Sequence, residues 1–240
     1  MRKLTFICLA LLFCFNTYAQ LEEKMKKANV VKGVIYKGGK SIEGFIRQTG
    51  FRKGKSGFEL QTPWDFQSAI YFIPKEKFEK NERIRGKHFT KYTPKKCDGY
   101  KYDDKYEYVS LKFVDLSKGV SLSLLPKRQF IRKMMDGKIS LFQYFSRPTT
   151  LFSGESASEA YAKSMKPVLV FRKGNSPKGV IVEVLSGKKV FADCPDVLSS
   201  YKAKEYKAED FTFATKYGKD LSDIEKRKLL AIFDYNKSCK

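Results

Sequence analysis

The sequence predicts an α+β protein: a mainly antiparallel, β-rich body, barrel- or sandwich-like, followed by a short helical C-terminal part. Apolar and polar residues alternate with period two through much of the chain, as in strands that are buried on one face. Gly-Gly and Asp-Gly pairs stand between such segments, and these are residues that hairpin turns favour. From about residue 196 the apolar residues take helical spacing instead.

The first hairpin is the clearest local prediction. Val30–Tyr36 and Ile42–Ile46 read as strands, and Gly38 and Gly39 between them tolerate the positive φ of a tight turn. Residues 129–135 fit either a strand or a short helix, before the turn at Asp136-Gly137. Further strands are predicted over residues 58–60, 69–73, 100–102, 106–114, 120–125, 138–145, 167–172 and 179–185.

Two helices are predicted after Pro195. Asp196 is placed to cap the first, which runs to about Lys204. Ser222 and Glu225 match the capping box, in which the two side chains satisfy the first turn of a helix reciprocally. The apolar face of this last helix is predicted to be Ile224, Leu229, Leu230, Ile232 and Phe233. No break in composition divides residues 20–240, which we expect to form a single domain.

The first nineteen residues have the pattern of a secretory signal peptide. Arg2 and Lys3 precede an apolar run over residues 4–15, and Thr17 and Ala19 are small residues before a cut at Gln20. The run is too short to cross about 30 Å of hydrocarbon, which argues against an anchor helix. We therefore expect cleavage of residues 1–19, export to the periplasm or cell surface, and no transmembrane span in the mature chain.

The chain is strongly basic, with 48 Lys+Arg against 26 Asp+Glu and a formal charge of +22. Removing residues 1–19 takes away two basic residues and no acid, which leaves +20. Residues 116–135 and 160–182 contain no acid at all. A field of one sign attracts polyanions, and Arg binds phosphate or carboxylate bidentately. The anion-binding candidates from these two stretches are Lys127, Arg128, Arg132, Lys133, Arg172 and Lys173.

Export restricts the partners that these charges can meet. Outside the cytoplasm the available polyanions are lipid phosphates, acidic polysaccharides and cell-wall polymers, so nucleic acid is not expected. The alternative is that the lysines are spread over every face and only keep the protein soluble.

Tyrosines form a second group of candidates. They alternate along two predicted strands beside lysines, and exposed tyrosine rings stack on sugars. The alternative is that they pack one face of the sheet. These candidates for an aromatic binding face are Tyr100, Tyr102, Tyr106 and Tyr108.

Motifs of common enzyme classes are missing from the sequence. The Gly38–Ser41 stretch lacks the earlier glycine that a P-loop requires, and no Gly-x-Ser-x-Gly elbow occurs. The single histidine, His88, excludes sites with two imidazoles, and the cysteines lack zinc spacing. We predict no metal site, no cofactor and no identifiable catalytic residue. A hydrolase acting on envelope polymers through unidentified carboxylates is the alternative to a binding or structural module.

Three cysteines remain once residues 1–19 are removed: Cys97, Cys194 and Cys239. An exported protein meets conditions in which disulfides persist. Three cysteines allow one bridge and one free thiol, and three buried thiols are the alternative.

Two segments resemble a family of uncharacterised exported β-rich proteins of Gram-negative bacteria. The first is Asp136–Phe142, which is similar to a DGKISLY-type segment. The second is the ending in which Phe191-x-Asp193-Cys194-Pro195 precedes Tyr235-Asn236-x-x-Cys239. The Gly44–Ile46 strand is compatible with the same family. The resemblance implies export, the β-rich class and a Cys194–Cys239 disulfide, and it carries over no active-site residue. It is consistent with a non-enzymatic module of the cell envelope that contacts an anionic ligand or a partner protein.

Overall fold

The computed structural model describes residues 19–48, 51–53, 59–61, 64–114, 127–147, 162, 164–213, 217 and 220–239. The predicted signal peptide, apart from Ala19, and the strand predicted over residues 120–125 lie outside these ranges.

Ten antiparallel strands form one sheet, which confirms the predicted α+β, β-rich class. The described strands are β1 Val30–Lys37, β2 Lys40–Arg47, β3 Phe51–Lys53, β4 Glu59–Gln61, β5 Ile70–Pro74, β6 Thr90–Tyr92, β7 Gly99–Tyr102, β8 Tyr106–Phe113, β9 Lys127–Met135, β10 Ile139–Phe145, β11 Pro167–Lys173 and β12 Val180–Ile181. Their order across the sheet is β12-β11-β10-β9-β8-β7-β1-β2-β5-β6, and β3 pairs with β4 alone.

Helices stand at the N-terminus, before and after β5, and in the C-terminal part. They are α1 over residues 19–28, α2 Asp65–Ser68, α3 Lys75–Lys80, α4 Gly187–Val190, α5 Pro195–Lys202 and α6 Asp223–Ser238. None of the helices in the described ranges is long and apolar enough to cross a membrane.

Local sequence signals account for several of these elements. The first hairpin turns at Gly38 and Gly39, whose φ values are +56° and +74°, as predicted. The predicted capping box of α6 is confirmed: Glu225 N–H donates to Ser222 Oγ at 3.3 Å, and Ser222 N–H donates to the Glu225 carboxylate at 3.0 Å. The segment that fitted either a strand or a helix is strand β9. The strand predicted over residues 179–185 is only two residues long, because a 3₁₀ turn starts at Val182.

The sheet is strongly curved, and its first half closes around α2. Only Ala69 separates α2 from β5, which lies near one edge of the sheet. Gln67 on α2 nevertheless exchanges two hydrogen bonds, of 2.6 and 2.7 Å, with the backbone of Phe145 at the end of β10. The edge containing β5 therefore curves back towards β10. The core enclosed there is formed by Ile35, Ile46, Phe66, Ile70, Phe72, Cys97, Tyr100, Tyr102 and Phe130.

The second half of the sheet closes on its opposite face. Gly179 N–H donates to Lys112 O at 2.8 Å, so the segment before β12 returns to β8. Strands β8 and β9 thus contribute alternate residues to two different cores, which is what period-two alternation allows. The second core is formed by Leu111, Phe113, Ile131, Phe142, Tyr144, Val170 and Ile181.

The C-terminal helices cover the outer face of β10 and β11. Asn236 on α6 fixes this packing, because its side chain accepts from Ile139 N–H at 2.9 Å and donates to Ile139 O at 2.8 Å. A Cβ on Gly137 would lie 2.8 Å from the Asn236 side chain, so a larger residue there would displace Asn236 from these hydrogen bonds. Cys194, before α5, and Cys239, after α6, form a disulfide with a Cα–Cα distance of 5.8 Å. The two segments that carry the family resemblance are therefore neighbours in the fold.

Candidate functional site

A broad cleft of about 870 Å³ opens beside the adjoining ends of β8 and β9. One wall is the loop before β7, through Pro94, Lys95 and Asp98, and the other is formed by residues of the two strands. We call it the basic cleft, and its strand wall is lined by Lys112, Lys127, Arg128 and Gln129.

Backbone hydrogen bonds hold the loop wall of the basic cleft in place. Asp98 N–H donates to Tyr36 O at 2.8 Å, and Ser110 N–H donates to Asp98 O at 2.7 Å. The Asp98 carboxylate accepts from Gly38 N–H at 2.7 Å, and the Ser110 hydroxyl donates to Pro94 O. The loop is thus bound to both β1 and β8, and the one acidic group of the lining is already bonded to the backbone of the first hairpin.

Four basic residues line this cleft. Lys112 on β8 lies directly opposite Arg128 on β9 in the strand register, and Lys127 is adjacent to Arg128. Like charges placed directly opposite each other destabilise a strand pair. Arg128 donates from a single nitrogen, Nη1, to Ser110 O and Oγ at 3.1 and 3.3 Å. In the described part of the chain, Lys95, Lys112 and Lys127 have no acidic partner, so the cleft has a surplus of cationic donors.

Two of the six predicted anion-binding residues, Lys127 and Arg128, line the basic cleft. The other predicted residues of β9 interact with neighbouring side chains of the sheet. Arg132 stacks over the Tyr106 ring at 4.2 Å. Lys133 pairs with Glu107 at 2.8 Å and Asp136 at 3.3 Å.

The two predicted anion-binding residues of β11 also lie outside the cleft. Lys173 donates to Asp193 at 2.6 Å and to Val190 O at 2.6 Å. Arg172 stacks over the Phe142 ring at 5.4 Å, and its Nε atom is buried without a hydrogen-bond partner in the described part of the chain. The acid-free stretches of sequence therefore do not form one continuous patch, because alternate strand residues point to opposite faces.

The predicted aromatic face is largely part of the core. Tyr100 is fully buried, its hydroxyl donates to Phe66 O at 2.7 Å, and its ring stacks on Tyr108 at 4.7 Å. Tyr102 is also buried and packs on Phe66 at 4.9 Å. Burial raises the pKa of Tyr108 to about 12. The expectation of an exposed stacking face is corrected for Tyr100 and Tyr102, because they are buried against Phe66 of α2.

Two described groups that could act as a nucleophile or a general acid, Cys97 and Asp193, have pKa shifts in the unfavourable direction. Burial raises the pKa of the Cys97 thiol to about 11, the wrong direction for a nucleophile. Hydrogen bonds from Lys173 and Tyr235 lower the pKa of Asp193, whereas a general acid needs a raised one. No group of three potential metal ligands occurs within the described ranges.

Sequence reasoning missed Lys95 and Lys112. Lys112 precedes the first acid-free stretch, and Lys95 lies in a loop far from β9 along the chain. Strand register brings Lys112 opposite Arg128, and a single sequence does not contain the register. The chain matches no family model, no curated protein and no solved structure, so the family resemblance stays a prediction.

Proposed function

We propose that the chain is an exported, non-enzymatic binding module of the cell envelope, and that its basic cleft binds the phosphate or carboxylate group of an anionic envelope component. The observation that supports this best is the Lys112–Arg128 pair, in which two cations face each other across neighbouring strands. Such a pair costs stability in the free protein. An anion between the two side chains removes that cost.

The ligand chemistry follows from the donors that the cleft presents. Arg128 uses one guanidinium nitrogen internally, so its planar group can still bond an oxyanion. Lys112 and Lys127 add flexible ammonium groups that suit phosphate oxygens as point charges. The signal-peptide pattern supports the proposed export. Outside the cytoplasm, phosphorylated lipids and acidic polymers are the available partners.

The test is a titration of the purified protein with pyrophosphate at low ionic strength. The double variant Lys112→Glu/Lys127→Glu changes two exposed side chains that have no acidic partner among the described residues. We expect its dissociation constant to rise at least about tenfold, equivalent to about 1.4 kcal/mol. The matched control, Lys75→Glu/Lys80→Glu, makes the same change in net charge on α3, and we expect nearly unchanged binding.

Cosedimentation identifies the source of the anion. Vesicles of phosphatidylglycerol test a lipid phosphate, vesicles of phosphatidylcholine test for charge-independent binding, and polygalacturonate tests an acidic polysaccharide. Binding that falls steeply with salt and depends on Lys112 and Lys127 supports the proposal. Equal weakening by the cleft and α3 variants would show that only overall charge matters, and the cleft would then have no specific role.

A further inference from the structure

A second cleft lies between the C-terminal helices, where the end of α5 faces the first turns of α6. We call it the interhelical groove, defined by Tyr201 on α5, Tyr206 after it and Ile224 on α6. Its volume is about 350 Å³, near the lower end of the range for small-molecule sites. It shares no residue with the basic cleft.

The floor of the groove is apolar. The Tyr206 hydroxyl donates to Asp234 at 2.7 Å, so the polar end of this ring is already bonded. The Tyr201 ring packs on Phe191 at 5.4 Å, which fixes its orientation. Ile224 is 59% exposed, the highest value among the large hydrophobic side chains described. It was predicted to lie on the buried face of α6, but it lies in the first turn and is left exposed by the described part of the chain. A ligand that covers Ile224 gains the free energy of removing apolar surface from water.

The charged residues that line the rim of the groove are all basic. Helical spacing places Ile224, Arg227 and Lys228 on one face of α6, because residues three and four apart are neighbours on a helix. Lys228 donates to Glu183 O, and burial lowers its pKa, so this ammonium is partly withdrawn from water. The basic residues of the lining are Lys188, Lys202, Lys204, Arg227 and Lys228.

One rim residue has an unfavourable backbone conformation. Lys204 is the second residue after α5 and has a φ of +59°, and the following Glu205 N–H donates back to Ser200 O at 3.1 Å. This position of a helix terminus favours glycine, because a side chain in the left-handed region is strained. The fold therefore keeps a lysine at the groove where glycine would be more stable.

We propose that the interhelical groove binds a single-chain fatty-acid carboxylate, with the hydrocarbon chain over Tyr201, Tyr206 and Ile224 and the carboxylate between Lys204 and Arg227. The small volume favours one hydrocarbon chain rather than the two of a phospholipid. The basic rim selects an anion, and the planar guanidinium of Arg227 matches a carboxylate. This inference is independent of the function proposed for the basic cleft.

The test is calorimetric titration of the purified protein with dodecanoate below micellar concentrations. Dodecyltrimethylammonium has the same chain with the opposite charge, and acetate has the carboxylate without the chain. We expect dodecanoate to bind at one site with a dissociation constant below about 1 mM. We expect at least about tenfold weaker binding of each comparison compound, since each lacks one half of the interaction.

Two variants keep the test separate from folding. Ile224→Ser removes exposed apolar surface, and we expect about fivefold weaker binding. Its control is Val180→Ser on β12, at another exposed aliphatic residue that is 42% exposed. Lys204→Gly removes a rim charge and relieves the backbone, so we expect weaker dodecanoate binding together with a higher melting temperature.

The outcomes are distinct. Single-site binding of dodecanoate that Ile224→Ser and Lys204→Gly weaken, while Val180→Ser does not, supports the proposal. The proposal is overturned if dodecanoate does not bind, if dodecyltrimethylammonium binds as tightly, or if the variants leave the affinity unchanged. Neither result bears on the proposal for the basic cleft, because the two clefts share no lining residue and pyrophosphate tests the basic cleft separately.

Discussion

The strand register places two cationic residues, Lys112 and Arg128, directly opposite each other on β8 and β9. Most surface lysines are solvated and say little about function. A cross-strand pair of like charges is different, because the repulsion destabilises the strand pair. Replacing Lys112 with Thr or Glu would remove this repulsion and still be compatible with the strand. Lys112 and Arg128 line the basic cleft. Lys133, by contrast, is neutralised by ion pairs with Glu107 and Asp136.

Replacing Lys112 is therefore expected to stabilise the free protein. Lys112→Thr removes the repulsion with Arg128 and introduces a β-branched residue into β8, so the free energy of unfolding should rise by about 0.5 kcal/mol. Urea unfolding followed by circular dichroism measures this change. The same substitution at Lys91 on edge strand β6 is the control. A loss of stability in Lys112→Thr would mean that the lysine is packed for structural reasons, which contradicts the role proposed for it.

Sequence patterns identified two of the four basic residues that line the basic cleft. Lys127 and Arg128 were found because they are adjacent in an acid-free stretch. Lys112 and Lys95 were missed because they come from other segments, joined to β9 only through strand pairing and the loop before β7. Tyr100 and Tyr102 had the same alternation that a binding face has, and only burial against α2 separates the two interpretations.

The C-terminal element is a helical cap that is fastened at both ends. Asn236 bonds the backbone of Ile139 at the start of β10, and the disulfide joins the start of α5 to the end of α6. Lys138 Nζ also donates to Cys239 O at 2.9 Å, beside the disulfide. The capping box that starts α6 was visible in sequence because it is a local pattern, whereas the contact between Asn236 and Ile139 spans 97 residues and has no local signal.

The disulfide is expected to stabilise this element strongly. Cys194 and Cys239 are 45 residues apart, and closing a loop of that length in the unfolded chain corresponds to about 4 kcal/mol in the chain-entropy relation. The double variant Cys194→Ser/Cys239→Ser should therefore lower the free energy of unfolding by roughly 2–4 kcal/mol in denaturant titrations.

Alkylation provides the chemical check on the same prediction. Under denaturing, non-reducing conditions we expect neither Cys194 nor Cys239 to be modified, while the buried Cys97 thiol becomes reactive once the chain unfolds. Modification of all three cysteines would contradict the disulfide. A variant at Cys97 alone, Cys97→Ala, separates loss of the bridge from loss of a buried thiol.

The whole molecule combines one continuous curved sheet with an excess of positive charge. Period-two patterning predicted the β-rich class, because successive residues of a strand point to opposite faces of the sheet. In β8 and β9 these two faces contribute to two different cores. The patterning did not predict the strand order, in which β7 pairs with β1 and not with β6, because pairing depends on contacts far apart in sequence. Net charge likewise favours an anionic partner, which stays a prediction, and it does not indicate which lysines and arginines lie together.

Salt separates a global charge effect from a local one. With a formal charge of +22 in the full chain, raising NaCl from 0.05 to 0.3 M should increase the melting temperature. A gain of about 1 kcal/mol corresponds to roughly 2–4 °C for a chain of this size.

Screening acts over about 10 Å at moderate salt, so the closest like charges contribute most to the salt-dependent increase in melting temperature. We therefore expect Lys112→Glu/Lys127→Glu to remove more of the salt-dependent increase than Lys75→Glu/Lys80→Glu, although both variants change the net charge equally. Thermal unfolding at matched ionic strengths measures both. If the melting temperatures of the two variants rise equally with salt, the repulsion arises from the overall net charge and not from the residues of the basic cleft.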